Sequence, residues 1–306
     1  MMLTPADTTE ESDLAVRVDG ATVYYSRTRT AGNRTADTAE KRATPKDASH
    51  KRTTRTHPHG SAPALDHAST SIRCGHVKAL IGPNGSGKST LFKAIMGLVP
   101  LHHGNITRFH NAPGSIAYVP QHESVDWNFP ISVEDVVASG RYAHPTRRGI
   151  FGGRWLGRHT STDREAIESA LHIANLSDLR ARQIGQLSGG QRKRVFVARG
   201  IAQGANTLLL DEPFAGVDNT SREGLTSLFT TLAHEGKALL VATHDIDHLP
   251  TFCDEVVMLN RTVIADGPTN STLTDENLLA TFSGVARGVG NTEQPVKTSG
   301  GERNDE

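Results

Sequence analysis

Residues 82–90 read GPNGSGKST; the run before them, VKALI, is apolar, and the run after, STLFKAIMGLV, repeats its apolar positions at helical spacing. A buried strand that passes through a glycine-rich loop directly into a helix leaves few options. The next parallel strand must be reached by a crossover, so the chain is confined to α/β architecture. The nonapeptide fits G-x-x-x-x-G-K-[ST], in the strand–helix setting that pattern requires. The loop formed by Gly82, Pro83, Asn84, Gly85, Ser86 and Gly87 can turn its backbone N–H groups toward an anion, and the helix N-terminus adds a partial positive charge. Lys88 is then placed to reach the β- and γ-phosphates of a nucleotide, and the hydroxyl of Ser89, next to Thr90, to ligate Mg²⁺.

Other apolar runs supply the rest of a sheet. TLLLD (207–211) and ALLVAT (238–243) read as buried parallel strands, and VVMLN (256–260) followed by RTVIADG reads as a hairpin. TDREAIESALHIANL (162–176) has apolar positions at 167, 170, 171 and 174 and a Thr-Asp start, the pattern of a helix. Residues from about 122 to 187 show helix patterns without a strand run, so a helical subdomain inserted into the sheet domain is expected there. TLLLDEP completes the phosphate site: Asp211 ends a strand and faces the metal, and Glu212 follows at the carboxyl edge of the sheet, where a carboxylate can act as general base toward water.

The totals exclude several classes. Lys+Arg and Asp+Glu are both 33, so there is no basic excess of the kind a nucleic-acid binder carries, and no nucleic-acid partner is expected. Cys74 and Cys253 cannot build a disulfide framework. The apolar runs are far shorter than the ~20 residues of a membrane span, and the polar, acidic start MMLTPADTTEESD does not resemble a signal peptide, so any link to a membrane is expected to run through a partner. Residues 26–60 contain no Val, Ile, Leu, Met, Phe, Tyr or Trp and carry nine Lys/Arg against three Asp/Glu. Such a segment cannot offset the entropy of ordering by burial, and it is expected to be a disordered basic insert. Residues 1–12 and 288–306 are expected to be flexible or disordered as well, leaving one domain at 13–287. His57, His59, His102 and His103 read as solvated.

LSGGQRKRVFVARGIA begins at Leu187. Ser188 and Gln191 fit a capping box, and Val195, Ala198 and Ala202 form a helical stripe. Gly189 and Gly190 weaken the first turn, and Arg192, Lys193 and Arg194 oppose the helix dipole. Read together, these point to a helix start with bare N–H groups beside cations, suited to an anion that belongs to a facing copy of the chain.

At this point the sequence resembles the ATP-binding subunits of ABC transporters, in motif order as well as content. GPNGSGKST resembles Walker A, VPQ with Gln121 the Q-loop, LSGGQ the signature, LLLDEP Walker B, AGVD with Asp218 the D-loop, and THD with His244 the switch histidine. The resemblance covers about residues 13–25 and 64–283. It implies a P-loop ABC ATPase fold with a RecA-like core, a small antiparallel β subdomain and an inserted helical subdomain. It further implies ATP and Mg²⁺ as ligands, Gln121 beside Ser89 and Asp211 at the metal, His244 at the γ-phosphate, and Tyr25 stacked on adenine, with Tyr24 adjacent in register. Two copies then pair head to tail, each ATP meeting Walker A of one chain and Ser188, Gly189, Gly190 and Gln191 of the other. In the family the short turn between the first two strands, here leading toward PALDHASTSI, carries no segment like 26–60, so the insert is a departure.

The stretch VPQHESVDWNFP (119–130) lies where the family meets its transmembrane subunit, so Trp127, Phe129 and Pro130 are expected to form part of a permease interface, ahead of a helix capped by Ser132 and Asp135. VDWNFPISVEDVVASGRY, FAGVD and DGPTNSTLTDENLLATF resemble in particular the ATPases of importers for manganese, zinc or chelated iron. That resemblance implies a transition-metal importer with a separate permease and an extracytoplasmic metal-binding protein, and a peripheral place at the cytoplasmic face of the membrane. The other readings are an importer ATPase for another substrate, a P-loop kinase, which LSGGQ opposes, and a soluble ABC ATPase of translation or DNA repair; members of the last carry two cassettes or long coiled coils, and this chain has one copy of each motif and no sustained heptads.

Overall fold

The computed structural model describes residues 13–25, 62–110, 112–121, 129–142 and 160–286. The insert at 26–60, the tail from 288, the first twelve residues and Trp127 lie outside them.

Two sheets share the chain. Strands β1 (Leu14–Val23), β2 (Leu65–Arg73) and, beyond β3 (Val77–Ile81) and helix α1 (Lys88–Ile95), β4 (His103–Arg108) form an antiparallel sheet in the order β2-β1-β4. The second sheet adds β5 (Ile116–Val119), β6 (Thr207–Asp211), β7 (Ala238–Ala242), β8 (Glu255–Asn260) and β9 (Thr262–Pro268) to β3, in the order β5-β6-β7-β3-β8-β9. It is parallel from β5 through β8. The hairpin expected at 256–267 is present, with β9 antiparallel to β8. This is the α/β arrangement that the first strand–loop–helix unit demanded.

The continuous apolar runs are strands buried on both faces, and their alternation decides which core each side chain joins. Val77, Ala79 and Ile81 point into a core shared with the helices, and Leu80 points the other way, toward the antiparallel sheet and α1. Leu208 and Leu210 divide from Leu209 in the same way, as do Leu239 and Val241 from Leu240.

Lys78 breaks the apolar pattern of β3. It is 1% exposed, and a buried ammonium has to be paired. Its Nζ donates to Ser71 O at 2.8 Å and lies 2.5 Å from Asp266 Oδ1 and 3.2 Å from Glu255 Oε2. Thr70 Oγ1 donates to the other oxygen of Asp266 at 2.6 Å. The cluster joins β2 of one sheet to β3, β8 and β9 of the other.

Between the strands lie α2 (Val133–Ser139), α3 (Ser161–Ile173), α4 (Gly189–Ala202) and α5 (Asn219–His234); α6 (Thr269–Thr272) and α7 (Asp275–Ala286) follow the hairpin. Ser132 caps α2 in a box with Asp135, as the sequence predicted. The start of α3 differs: the cap is Thr160, not Thr162, and Asp163 closes the box as its third residue. Asp163 also takes the Arg141 Nε at 2.9 Å, and Arg141 Nη1 reaches Ala202 O at the end of α4. Through this buried fork α2, α3 and α4 are held as one unit. His102 is not simply solvated as expected: its Nδ1 accepts the Tyr24 N–H at 3.3 Å, and its ring stands edge-on to that of Tyr24.

Candidate nucleotide site

The turn after β3 is set by glycine. Gly87 is the N-cap of α1 with φ 105°, and it offers no side chain to the helix. A Cβ on it would stand 2.5 Å from Ala64 O, so the position admits no other residue without a shift. The first N–H groups of α1 therefore face the loop with no intrahelical acceptor. A chain segment far away in sequence braces the loop: Arg261, between β8 and β9, donates its N–H to Ser86 O at 2.8 Å and accepts from Asp66 N at 2.9 Å, and a Cβ on Gly82 would collide with Leu259 O.

These elements enclose a cleft of about 630 Å³ lined by Ala64, Gly82, Asn84, Gly85, Ser86, Gly87, Lys88, Ser89, Thr90, Gln121, Asp211, Glu212 and His244. Lys88 Nζ spans the loop, donating to Gly82 O at 2.6 Å and Pro83 O at 3.1 Å. Burial lowers its pKa, against the opposing pull of Glu212 and Asp211. Ser86 Oγ is buried without a partner among the described residues, a polar atom directed at nothing but the loop it serves. Ser89 Oγ and Asp211 Oδ2 stand 3.5 Å apart. A hydroxyl and a carboxylate facing one another are the hard oxygen donors that Mg²⁺ takes, so the residues fit that ion.

Sequence reading missed Tyr118. Its strand, β5, has only four residues and no long apolar run to announce it. The phenol donates to Asp211 Oδ2 at 3.1 Å, and burial, followed by the Asp211 charge, pushes its pKa up to about 12. It therefore stays a donor and fixes the carboxylate. Glu212 has φ 50°, a left-handed backbone at a strand end, and its Oε2 lies 2.8 Å from His244 Nδ1. An ionised carboxylate only accepts, so Nδ1 carries the proton in that pair. Left-handed backbone in a residue of this bulk is strained, and such strain gathers at working sites. Tyr25 is not among the cleft's lining residues; it is 47% exposed, with its hydroxyl 3.4 Å from Thr90 Oγ1, whereas Tyr24 turns to His102.

The signature residues lie elsewhere. Ser188, Gly189, Gly190 and Gln191 open α4, and none of them lines the cleft. The capping box is formed: Gln191 N–H donates to Ser188 Oγ at 3.3 Å, and Ser188 N–H to Gln191 Oε1 at 3.0 Å. The box is the one the sequence predicted, and it answers the N–H groups of Gln191 and Ser188. Arg192 is turned to the carbonyls of Leu187 and Gly185, and Lys193, buried, donates to Gln121 O at 2.8 Å. Gly190 has a packing reason as well, since a Cβ there would collide with Ser221 in the first turn of α5. Asp218 caps α5, accepting from Ser221 N at 2.9 Å, and this backbone bond holds its pKa low. Phe129 is 60% exposed and Pro130 exposed.

The family model for ABC transporters matches residues 65–215. A chelated iron transport system membrane protein of Yersinia pestis, YfeB, is 46% identical over 232 residues, covering 74% of this chain and 76% of its own. The chain belongs to the ABC transporter family, as an ATP-binding subunit. This ABC ATPase is also 43% identical to the manganese transport system ATP-binding protein MntA of Synechocystis, over 72% of this chain and 85% of that one. It is 40% identical to the zinc transport system ATP-binding protein TroB of Treponema pallidum, over 72% and 82%. A solved structure described as an inward-facing metal-chelate type ABC transporter matches with a TM-score of 0.66 and 27% identity, covering 89% of each chain. The ADP conformation of MJ1267, an ATP-binding cassette, shares the fold with a TM-score of 0.65 at 23% identity, covering 91% of this chain and 99% of that one. The chain is thus an ATP-hydrolysing subunit, and Lys88, Ser89, Asp211 and Glu212 share one cleft in it.

Proposed function

We propose that this ATPase energises the import of a transition-metal ion, manganese, zinc or chelated iron, through a separate membrane permease at the cytoplasmic face of the membrane. Relatives at 40–46% identity that carry those three cargoes support the class. The geometric observation that carries the energising role is that Lys88, Ser89, Asp211, Glu212 and His244 line one cleft. Among the described residues no helix is long and apolar enough to cross a membrane, which fits a subunit that works through a permease.

In this reading the phosphates of ATP rest on the open N-terminus of α1, and Lys88 leaves the Gly82 and Pro83 carbonyls to meet the β- and γ-phosphates. Ser89, Asp211 and Gln121 hold Mg²⁺, which when bound neutralises charge on the phosphate oxygens. Tyr118 keeps Asp211 turned to that place. Glu212 takes a proton from the attacking water; the new O–P bond forms at the γ-phosphorus as the bond to the β-phosphate oxygen breaks, leaving ADP and phosphate. His244, paired with Glu212, orients the carboxylate and faces the γ-phosphate. Tyr25 stacks on adenine. A second copy, head to tail, supplies Ser188, Gly189, Gly190 and Gln191, with Asp218 at the seam. Trp127, Phe129 and Pro130 meet the permease, and an extracytoplasmic protein delivers the metal to it.

The test is uptake. In cells lacking the chain, accumulation of one of the three metals should fall, returning with the parent gene and not with Lys88→Ala. Unchanged uptake of all three would refute the import reading.

A further inference from the structure

Glu212 and His244 also border a second cleft, of about 420 Å³, that the hydrolytic reading does not use. Across it stands Arg222, in the first turn of α5. Its Nη1 pairs with Asp245, the residue after His244, and its guanidinium lies 5.8 Å above the Phe214 ring centroid. Its Nε is buried and has no acceptor among the described residues, so the Asp245 carboxylate and the ring are what hold it in place. Asp245 is tied in turn to the strand end, its N–H donating to Thr243 Oγ1 at 3.1 Å. The loop that carries His244 has no regular structure of its own, and the imidazole is 75% exposed. What fixes its direction toward Glu212 must therefore come from its neighbours. The residue before Arg222, Ser221, is the one against which Gly190 packs.

We propose that Arg222 is a positioning residue for the Glu212–His244 pair, clamping Asp245 so that His244 stays within hydrogen-bond reach of the carboxylate. Because Ser221 and Arg222 are consecutive, one turn of α5 touches both the start of α4 and the histidine loop. A shift of α4 against Ser221 thereby reaches the hydrolytic pair through a single rigid element. The proposal rests on the roles given above to Glu212 and His244. A misplacement of catalytic groups by about an ångström costs up to about a hundredfold in rate, whereas nucleotide affinity, set by the α1 loop on the other side, is not touched.

The experiment measures kcat and KM for MgATP with the full chain, beside its ATP affinity and thermal midpoint. Parent and Glu212→Gln come first: if both hydrolyse equally, the hydrolytic reading itself fails and the fault is not in the clamp. Given that control, Arg222→Ala and Asp245→Asn should each lower kcat about tenfold or more, with KM and ATP affinity unchanged. The exchanged pair, Arg222→Asp with Asp245→Arg, should recover most of the loss. Parent kcat in Arg222→Ala, a folded exchange as slow as the single variants, or a rise in KM in place of the fall in kcat would each overturn the proposal. Loss of the folding transition in both single variants would show a stabilising pair and would overturn it too.

Discussion

Two helices in this molecule begin at glycine-rich runs, and they begin in different ways. Helix α1 starts at Gly87, which has no side chain with which to cap it, and its open end lines the 630 Å³ cleft. Helix α4 starts at Ser188, whose hydroxyl accepts the Gln191 N–H while Gln191 accepts the N–H of Ser188. Both look like anion sites in sequence, because glycine and a following helix are common to them. The structure separates them: the first has no side-chain cap, and the second is capped within its own chain. A glycine at a helix start thus has two causes, the freedom to adopt φ 105° at Gly87 and the need to admit Ser221 at Gly190.

The largest expected effect tests whether chemistry is confined to the open end. Glu212→Gln should lower the hydrolysis rate by about 10²–10⁴ while ATP is still bound; equal rates would remove Glu212 as the base. Next comes the open end itself. Gly87→Ala forces a Cβ against Ala64 O, with local strain of about 1–3 kcal/mol. ATP affinity by calorimetry should fall by about tenfold or more, and parent affinity would show that the open cap is not what holds phosphate. Ser188→Arg addresses the capped end. The isolated chain should bind ATP as the parent does, yet fail to form an ATP-dependent dimer by light scattering; a persistent dimer would remove α4 from the facing site. The smallest effect is that of Ser188→Ala. It should cost about 1 kcal/mol, a drop of about 2–4 °C in the thermal midpoint, with ATP affinity unchanged. No drop would mean that the box does not close α4.

How much of this was legible depended on whether a residue's work is local. The strands β3, β6 and β7 announced themselves as unbroken apolar runs because both of their faces are buried. The capping boxes at Ser132 and Ser188 were visible because cap and partner are three residues apart. β4, with the sequence HGNITR, was not legible, since one isoleucine among polar residues cannot mark a strand that exists by pairing with β1. Tyr118, Arg222 and Lys78 were invisible for a related reason. Each acts on a residue 93, 23 or as many as 188 positions away, on Asp211, Asp245 and Asp266 respectively, and no local pattern encodes such a meeting. The basic cluster after LSGGQ misled because charge was read as facing an anion, while Lys193 had a backbone carbonyl of Gln121 to satisfy.

The brace behind the phosphate loop sets a schedule for the newborn chain. Gly82 and Ser86 lie against Leu259 and Arg261, so the loop cannot reach its final shape until the ribosome has made residues roughly 175 positions further on. At a synthesis rate of about 5–20 residues per second, the motif waits for about 9–35 s between being made and being supported. During that interval the chain carries the letters of a nucleotide site without its walls. A product halted before Arg261 would keep the motifs from GPNGSGKST to THD and still lack the Arg261 brace of the loop.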